Sequence, residues 1–311
     1  MRWVKSTLVS LEPFLANDDM AKILVVGAGG RLGKALVRHW RCPDGAVVGL
    51  DRNALPLDDL DQLRSVLGGH EFDTLVNCAA LTNVDYCEKN REEAFLVNAQ
   101  APGVMAEICE ARGAQCIHIS TDYVFDGLSR RPYLEADTPH PVSVYGESKF
   151  AGECAVLGAG GRHWVVRVSW VFGPDRPSFV DQIVDRATRE ATVSAVCDKW
   201  ATPTYTLDAA EALQRLAARG EGGGTVHLSN AGECTWQEYG QWALDCAREA
   251  GLALSATTVD PVFMADLKAF VAVRPPYTVL DCERLFALCG VRLRSWREAV
   301  REHVRRRFGT H

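Results

Sequence analysis

Three residues in the middle of the chain have the types and the spacing of a site that reduces a carbonyl group. Tyr145 and Lys149 are four positions apart, so a helix would place both side chains on one face. An ammonium beside a phenol favours the phenolate and lowers the tyrosine pKa from about 10. Such a tyrosine can exchange a proton with a carbonyl oxygen near neutral pH, and Thr121 can hydrogen-bond the same oxygen. The alternative is a surface Tyr and Lys on an ordinary helix, because this spacing is common.

A segment that reads as a buried strand must position Thr121. The apolar run covers residues 116–119, and its end places Ser120 and Thr121 at the carboxyl edge of a parallel sheet. Open α/β sheets bind their ligands at this edge. A strand, a loop and a helix are therefore needed to bring Thr121 to Tyr145.

A glycine-rich turn upstream predicts a nucleotide-binding site. Residues 22–26 read as a buried strand, a helical pattern runs on to Trp40, and the motif GxxGxxG lies between them. The first glycine permits a tight turn, the second lets the backbone approach a pyrophosphate, and the third allows close helix–strand packing. A glycine turn without a nucleotide is the alternative. The predicted cofactor contacts in this turn are Gly27, Gly30, Arg31, Leu32 and Gly33.

Two further segments add predicted cofactor contacts. Asp51 ends a second strand, where an acid binds the ribose 2′-hydroxyl of NAD, whereas the adjacent Arg52 suits the 2′-phosphate of NADP. The sequence therefore leaves NADH and NADPH open. A third strand precedes three small residues that let backbone lie against the cofactor: Cys78, Ala79 and Ala80. Asn98, within a helix predicted over residues 88–112, either holds a nearby polar group or lies at the surface.

Strands alternate with helices from residue 22 to residue 173, which predicts a doubly wound parallel sheet. The rhythm then changes, with a loop predicted over residues 198–204, and this indicates a smaller C-terminal α/β unit. We predict a dinucleotide-binding domain of residues 20–175 and 203–231 and a substrate-binding domain of residues 176–202 and 232–311. Residues 1–19 are expected to form a disordered leader rather than a signal peptide, because they lack a long apolar core.

Composition argues against several classes of protein. The chain has 311 residues and a formal net charge of -6, so nucleic acid is not expected as a partner. It has no apolar run of the roughly 18 residues that a membrane helix needs. The 11 cysteines include no CxxC pair and the histidines show no ligand spacing, so neither a disulfide framework nor a metal site is expected. A reducing cytoplasm is the expected location, and Cys78 is expected to be packed rather than reactive.

The motifs taken together resemble the extended short-chain dehydrogenase/reductase family and, within it, the dTDP-4-dehydrorhamnose reductases. They occur in the family's order and span nearly the whole chain from Met20. The glycine motif and YxxxK mark only the superfamily, whereas the later motifs are more specific. In chain order the motifs are GAGGRLG (27–33), VNCAALTNVDYCE (76–88), VNAQ (97–100), STDYVFDG (120–127), YGESK with AGE (145–153), RVSWVFG (167–173), DKWATPT (198–204) and RPPYTVLD (274–281).

The resemblance implies hydride transfer from NADH or NADPH to C4 of a 4-keto-6-deoxyhexose carried on a nucleoside diphosphate. Tyr145 would protonate the new hydroxyl, Lys149 would lower the tyrosine pKa and hold the nicotinamide ribose, and Thr121 would orient the keto oxygen. Trp170 would pack beside the sugar, and the segment around Arg274 would close over the nucleotide. The implied substrate contacts are Thr82, Val84, Asp122, Tyr123, Phe125, Trp170 and Arg274.

Some features leave alternatives open. Where the family often has Asp-Gln-x-Gly-x-Pro-Thr, this chain has Lys199 and Trp200, which would reshape the sugar pocket or add a positive charge near the phosphates. Tyr123 stands where related 4,6-dehydratases carry a Glu, so dehydration is not expected. A ketoreductase or epimerase for another nucleotide deoxysugar, or a regulatory subunit resembling that of methionine adenosyltransferase, is the alternative. A homodimer is expected by analogy with the family.

Overall fold

Twelve strands lie within residues 22–40 and 47–309, the parts of the chain that the computed structural model describes. The predicted leader, residues 1–19, lies outside these parts. The strands are β1 (Ile23–Val26), β2 (Val47–Leu50), β3 (Thr74–Asn77), β4 (Gln115–Thr121), β5 (Trp164–Val168), β6 (Val171–Phe172), β7 (Val193–Val196), β8 (Trp200–Ala201), β9 (Thr204–Tyr205), β10 (Gly224–His227), β11 (Cys234–Thr235) and β12 (Val259–Val262).

Eleven α-helices lie within the same described ranges, together with one π-helical turn and two 3₁₀ turns. The helices are α1 (Arg31–His39), α2 (Leu60–Gly68), α3 (Val84–Lys89), α4 (Arg91–Phe95), α5 (Ala101–Arg112), α6 (Val144–Ala159), α7 (Phe179–Ala187), α8 (Thr206–Ala217), α9 (Trp236–Glu249), α10 (Glu283–Cys289) and α11 (Trp296–Phe308). The π-helical turn is Leu96–Gln100, and the 3₁₀ turns are Asp122–Val124 and Met264–Asp266.

Six strands form one parallel sheet in the order β10-β5-β4-β3-β1-β2. Successive residues of its central strands enter opposite cores. Leu24 and Leu75 pack with α2 and α5, whereas Val25 and Val76 pack with α1 and α8. Helices therefore cover both faces of the sheet, and the predicted doubly wound parallel sheet is confirmed.

A separate hydrophobic core fills the C-terminal part of the described chain. Helices α7, α9 and α11 pack around Tyr239 and Trp296, beside the parallel pair β7 and β12. The strand β10 lies in the C-terminal part of the sequence but pairs with β5 in the large sheet. The division into two domains at the boundaries named above stays a prediction.

Two predicted segments differ from the structure. The helix predicted over residues 88–112 is interrupted at Asn90, where φ is -129° and ψ is 59°, and again by the π-helical turn that contains Asn98. The loop predicted over residues 198–204 contains β8 and the start of β9, which pair with β11 and β6. These two-residue strands form through pairing with residues that are distant in sequence, so local periodicity does not reveal them.

A buried ion pair joins β5 to α6 below the carboxyl edge of the sheet. Arg167 donates from Nε and Nη2 to the two carboxylate oxygens of Glu153, at 2.9 and 2.7 Å. Ser120 Oγ donates to the same carboxylate at 2.5 Å. Both charged side chains are almost fully buried, so losing one partner would leave an uncompensated charge in the core.

We expect the substitution Arg167→Met to lower the free energy of unfolding by about 3–5 kcal/mol, because it leaves Glu153 buried without its cation. Urea denaturation measures this loss. Arg215→Met is the matched control, since Arg215 pairs with Glu211 at 3.0 Å on the exposed side of α8 and exposed pairs contribute little. Equal losses in the two variants would contradict the account.

Candidate active site

The carboxyl edge of the sheet brings together the three residues predicted to be catalytic. The strand β4 ends at Thr121, and Ser143 caps the first turn of α6. Tyr145 and Lys149 therefore lie one turn apart on the same helix face. Thr121 lies against the Tyr145 hydroxyl, a contact that favours the phenolate and partly offsets the effect of burial on the pKa of Tyr145.

Gly146 allows α6 to approach β4 this closely. A Cβ atom at Gly146 would lie 2.3 Å from the carbonyl oxygen of Tyr123. Without one, the first turn of α6 rests on the turn that follows β4. Tyr123 and Tyr145 then meet edge to face, with ring centroids 5.6 Å apart. Burial raises the pKa of both phenols.

The amino group of Lys149 faces the sheet rather than Tyr145. Its Nζ donates to the carbonyl oxygen of Ile119 at 2.8 Å and lies 3.1 Å from His118 Nε2. Burial lowers the pKa of Lys149 to about 8. The predicted lowering of the Tyr145 pKa by Lys149 is wrong for this geometry, because burial dominates and raises the pKa of Tyr145.

The glycine turn lies beside this group, where β1 and β3 end. Gly27 has a φ of 81°, and a Cβ atom there would lie 2.7 Å from the backbone nitrogen of Ala79. A Cβ atom on Gly33 would lie 2.3 Å from the carbonyl oxygen of Gly27. The turn, the start of α1 and the backbone of Ala79 are thus in close contact, which requires glycine at both positions.

Two residues of the predicted cofactor turn use their side chains elsewhere. Arg31 donates to three backbone carbonyls, that of Val171 in β6 at 3.2 Å and those of Arg176 and Pro177 after β6 at 3.3 and 2.6 Å. The Leu32 side chain is buried in the core between α1 and the sheet. Any contact of Arg31 or Leu32 with a cofactor in this arrangement would come from the backbone.

The predicted adenosine side is formed by the end of β2. Asp51 is exposed, and its Oδ1 accepts hydrogen bonds from the backbone nitrogens of Asn53 and Ala54 at 3.0 and 3.1 Å. Its Cβ lies 3.5 Å from where a Cβ atom on Gly29 would be. Arg52 is also exposed. Asp51 therefore lies next to the glycine turn, and Arg52 follows it directly in the chain.

The segment after β3 is held from behind by Asn98. The Asn98 side chain accepts from the Leu81 nitrogen at 2.8 Å, donates to the Leu81 carbonyl at 3.0 Å and donates to Ser148 Oγ at 3.1 Å. Asn98 thus positions the backbone near Ala80 instead of facing a cofactor itself. The Cys78 thiol packs against the sheet core, and burial raises its pKa to about 12.

The predicted substrate residues fall into different environments. Thr82 is exposed, and Val84 packs in the cluster that contains Tyr145. Phe125 is fully buried and stacks on Tyr133 with ring centroids 4.0 Å apart. The expectation that the Phe125 side chain contacts substrate is wrong for this structure, because core packing holds the ring away from the surface.

Asp122 is a buried junction between three segments. One carboxylate oxygen accepts from Thr121 Oγ1 at 3.0 Å. The other oxygen accepts from Ser169 Oγ at 2.8 Å and from Thr278 Oγ1 at 2.5 Å. Its hydrogen bonds are therefore made within the protein, and Asp122 fixes Thr121 rather than reaching outward.

Trp170 forms one wall of a pocket of about 380 Å³. It has the unusual φ of 41°, which turns the chain between β5 and β6. Its indole N–H is buried and has no hydrogen-bond partner among the described residues. The other aromatic walls of the pocket are Phe179, Trp236, Tyr239 and Phe270.

Arg274 is held by a carboxylate that the sequence analysis did not single out. It forms two hydrogen bonds with Asp85, at 3.1 and 2.5 Å, and stacks over Phe270 at 3.7 Å. Asp85 also accepts from the backbone nitrogens of Val271 and Ala272. The Arg274 guanidinium holds the pKa of Asp85 well below its usual range. In the sequence, Asp85 could have been found from its position in the motif of residues 76–88, directly after the predicted substrate contact Val84.

Lys199 is a second residue whose contacts were not predicted. It is fully buried, donates to the carbonyl oxygen of Pro275 at 2.7 Å and lies 4.8 Å from the ring centroid of Tyr123. Burial lowers the pKa of Lys199 to about 8. Lys199 thus connects Pro275 to the ring of Tyr123, and its predicted effect on the sugar pocket or near the phosphates stays a prediction.

The described residues contain no group of three or more His, Cys, Asp or Glu side chains that is arranged to hold a metal ion. Nor is any of the described helices long and apolar enough to cross a membrane.

Comparison with known proteins identifies the family. Residues 21–308 match the family model described as the RmlD substrate binding domain. The chain belongs to this family. Spore coat polysaccharide biosynthesis protein SpsK of Bacillus subtilis is 36% identical to this RmlD-family chain over 288 residues, which cover 93% of the chain and 98% of that protein. The dTDP-4-dehydrorhamnose reductase of Mycolicibacterium smegmatis is 37% identical over 294 residues, which cover 92% of the chain and 86% of that protein.

A solved structure extends the similarity to three dimensions. The dTDP-4-dehydrorhamnose reductase of Bacillus anthracis, in complex with NADP, is 29% identical to the RmlD-family chain and has a TM-score of 0.84. The match covers 91% of this chain and 98% of that one. The similarity therefore includes both the parallel sheet and the C-terminal core.

We expect the substitution Gly27→Ala to weaken NADPH binding at least about tenfold, because it adds left-handed strain and a clash with Ala79. Isothermal titration calorimetry measures the affinity. Gly29→Ala is the matched control, since Gly29 has no positive φ and a Cβ atom there makes only ordinary contact with Asp51. Comparable weakening in both variants would contradict the proposed close approach at Gly27.

Proposed function

We propose that the chain uses NADPH or NADH to reduce the C4 keto group of a dTDP-linked 4-keto-6-deoxyhexose, in dTDP-rhamnose biosynthesis. One observation carries the proposal: Thr121 and Tyr145 are in contact, and Lys149 follows one turn later on the same helix, at the sheet edge that also holds the glycine turn. Relatives named dTDP-4-dehydrorhamnose reductase supply the substrate class. The three side chains are those that ketone reduction requires, a proton donor and two groups that position it.

The proposed chemistry needs few protein groups. When bound, the reduced nicotinamide supplies the hydride. Tyr145 hydrogen-bonds the C4 oxygen and gives it a proton as negative charge develops there. Thr121 is proposed to orient that oxygen by turning its one hydroxyl proton from Asp122 to the substrate, while the hydrogen bond from Ser169 holds Asp122 in place. The raised pKa of Tyr145 keeps the phenol protonated before reaction.

The residues present fit a dinucleotide. The glycine turn and the adjacent start of α1 suit a pyrophosphate, because helix N-termini favour anions. Asp51 would bind a ribose 2′-hydroxyl, and Arg52 would bind a 2′-phosphate. We propose that both cofactors are accepted and that the ratio of the NADPH and NADH rates gives the preference.

The substrate is proposed to lie along the wall formed by Trp170. The indole N–H of Trp170, which none of the described residues accepts, and the aromatic pocket behind it suit a partly polar, partly flat ligand. The segment that contains Arg274 would cover the nucleotide from the opposite side. The bidentate contact with Asp85 holds that segment in place.

A reductase for a different sugar is the second candidate. A relative from Streptomyces niveus, 37% identical over 279 residues, is named dTDP-4-keto-6-deoxy-D-glucose reductase. Lys199 and its contact with the Tyr123 ring favour a sugar pocket of altered shape. Turnover measured with both 4-keto sugars decides between the two candidates.

A homodimer and a cytoplasmic location are proposed by analogy, and the net charge of -6 supports the absence of a nucleic-acid partner.

We expect Tyr145→Phe to lower kcat/KM for the keto sugar by about 10²–10⁴, because the proton donor is lost. Its affinity for NADPH should stay close to that of the parent protein. NADPH oxidation and calorimetry measure the two quantities. Tyr86→Phe, on the exposed face of α3, is the control. Turnover of Tyr145→Phe at the parent rate would overturn the assignment.

We also expect kcat/KM to fall as the pH rises through about 8. The pKa of Lys149 is about 8, so its ammonium is present below that pH and is lost above it. We propose that Lys149 acts as an ammonium, because its positive charge offsets the phenolate that proton transfer leaves, although burial and not Lys149 dominates the pKa of Tyr145 in the structure described. A steady-state pH profile checks the prediction, and a profile that stays flat to about pH 10 would contradict it.

A further inference from the structure

A line of buried side chains connects the cofactor-side loop to Lys149. The Ala79 backbone nitrogen donates to Asn77 Oδ1 at 3.0 Å. Asn77 Nδ2 lies 3.1 Å from His118 Nδ1, and His118 Nε2 lies 3.1 Å from Lys149 Nζ. Asn77 and His118 are fully buried, and Lys149 is nearly so. These contacts lie behind the proposed active site, and the mechanism above leaves Asn77 and His118 without a role.

The directions of these hydrogen bonds follow from one fixed donor. A backbone N–H can only donate, so the atom of Asn77 that faces Ala79 must be its oxygen. The amide nitrogen of Asn77 then donates to His118 Nδ1. A neutral imidazole with an accepting Nδ1 carries its proton on Nε2. Burial lowers the pKa of His118 well below its usual value, so the ring is neutral.

The His118 N–H therefore points at the Lys149 nitrogen. An ammonium has three donors and no acceptor. Its N–H would therefore face the His118 N–H, and no hydrogen bond could form between the two groups. A neutral amine accepts from His118 and still donates to the Ile119 carbonyl at 2.8 Å. The hydrogen bonds from Ala79 through Asn77 and His118 are therefore all satisfied only when Lys149 is a neutral amine.

The other ionisable groups around Lys149 act in the opposite direction. Glu153 and Cys78 each favour the ammonium. Glu153, however, is already paired with Arg167, and burial keeps the Cys78 thiol protonated. Tyr145, on the same helix, is also neutral because burial raises its pKa. The tautomer of His118 can therefore shift the balance between the ammonium and amine forms of Lys149.

We propose that Asn77 and His118 are positioning residues that fix the tautomer of His118 and thereby favour the neutral amine of Lys149 before the cofactor binds. The proton that Lys149 gives up passes to solvent, and Lys149 takes a proton up again when the reaction requires the ammonium. The relevance to catalysis rests on the proposed role of Lys149. The test reads protonation directly, so its outcome does not depend on turnover.

The decisive variant is Asn77→Asp. Both carboxylate oxygens accept, one from Ala79 and the other from His118, so the imidazole proton moves to Nδ1 and Nε2 becomes an acceptor. The Lys149 ammonium is then stabilised. We expect the pKa of Lys149 to rise by at least about one unit, and the alkaline limb of kcat/KM to move up with it.

Nuclear magnetic resonance of protein prepared without cofactor measures both effects. The chain has seven lysines and eight histidines, so Lys149 and His118 can be assigned by substitution. Two-bond ¹H–¹⁵N spectra give the tautomer of His118, and ¹³Cε signals give the titration of Lys149. We expect Nε2–H in the parent protein and Nδ1–H in Asn77→Asp.

The double variant Asn77→Asp/His118→Leu separates the tautomer from the added charge. In the His118→Leu background the carboxylate acts on Lys149 only through space, so we expect most of the pKa rise to disappear. An equal rise in both backgrounds would overturn the proposal. Should Asn77→Asp fail to fold, Nδ1–H in the parent protein would overturn it equally well. A failed keto-sugar assay, by contrast, would count against the proposed function alone.

Discussion

The carboxylate of Asp122 is the contact on which the arrangement of the site depends. It accepts hydrogen bonds from Thr121 at the end of β4, from Ser169 after β5 and from Thr278 in the C-terminal segment. A buried carboxylate requires such partners, because desolvation without them is costly. The three hydroxyls satisfy it, and in doing so they fix the sheet edge and the segment that covers it in one geometry.

Several other buried polar groups support that geometry from the sides. Asn98 holds the segment after β3 through both hydrogen bonds to Leu81. Lys199 holds the covering segment at Pro275 while its charge rests on the Tyr123 ring. Each of these side chains acts on backbone or on another side chain rather than on a ligand. The site thus consists of a few outward groups and a larger set that keeps them still.

The sequence was informative where chemistry and local pattern coincide. The GxxGxxG turn, the strand before Thr121 and the helix that contains Tyr145 were all predictable, because each is read from neighbouring residues. The contacts of Lys149 with His118 and of Arg274 with Asp85 were not, since they join residues that are distant in sequence. The same limit explains Phe125: its motif resembles a binding loop, but its ring stacks in the core.

The central claim is that hydride is delivered to C4 of a nucleotide-linked 4-keto sugar at the edge where Thr121 and Tyr145 meet. It is tested most directly by incubating the protein with dTDP-4-keto-6-deoxy-L-mannose and NADPH in which both hydrogens at nicotinamide C4 are deuterium, then locating the label in the product by nuclear magnetic resonance. The account predicts deuterium at C4 of the sugar in a newly formed secondary alcohol. A sugar product without deuterium, or with deuterium at another carbon, would contradict it.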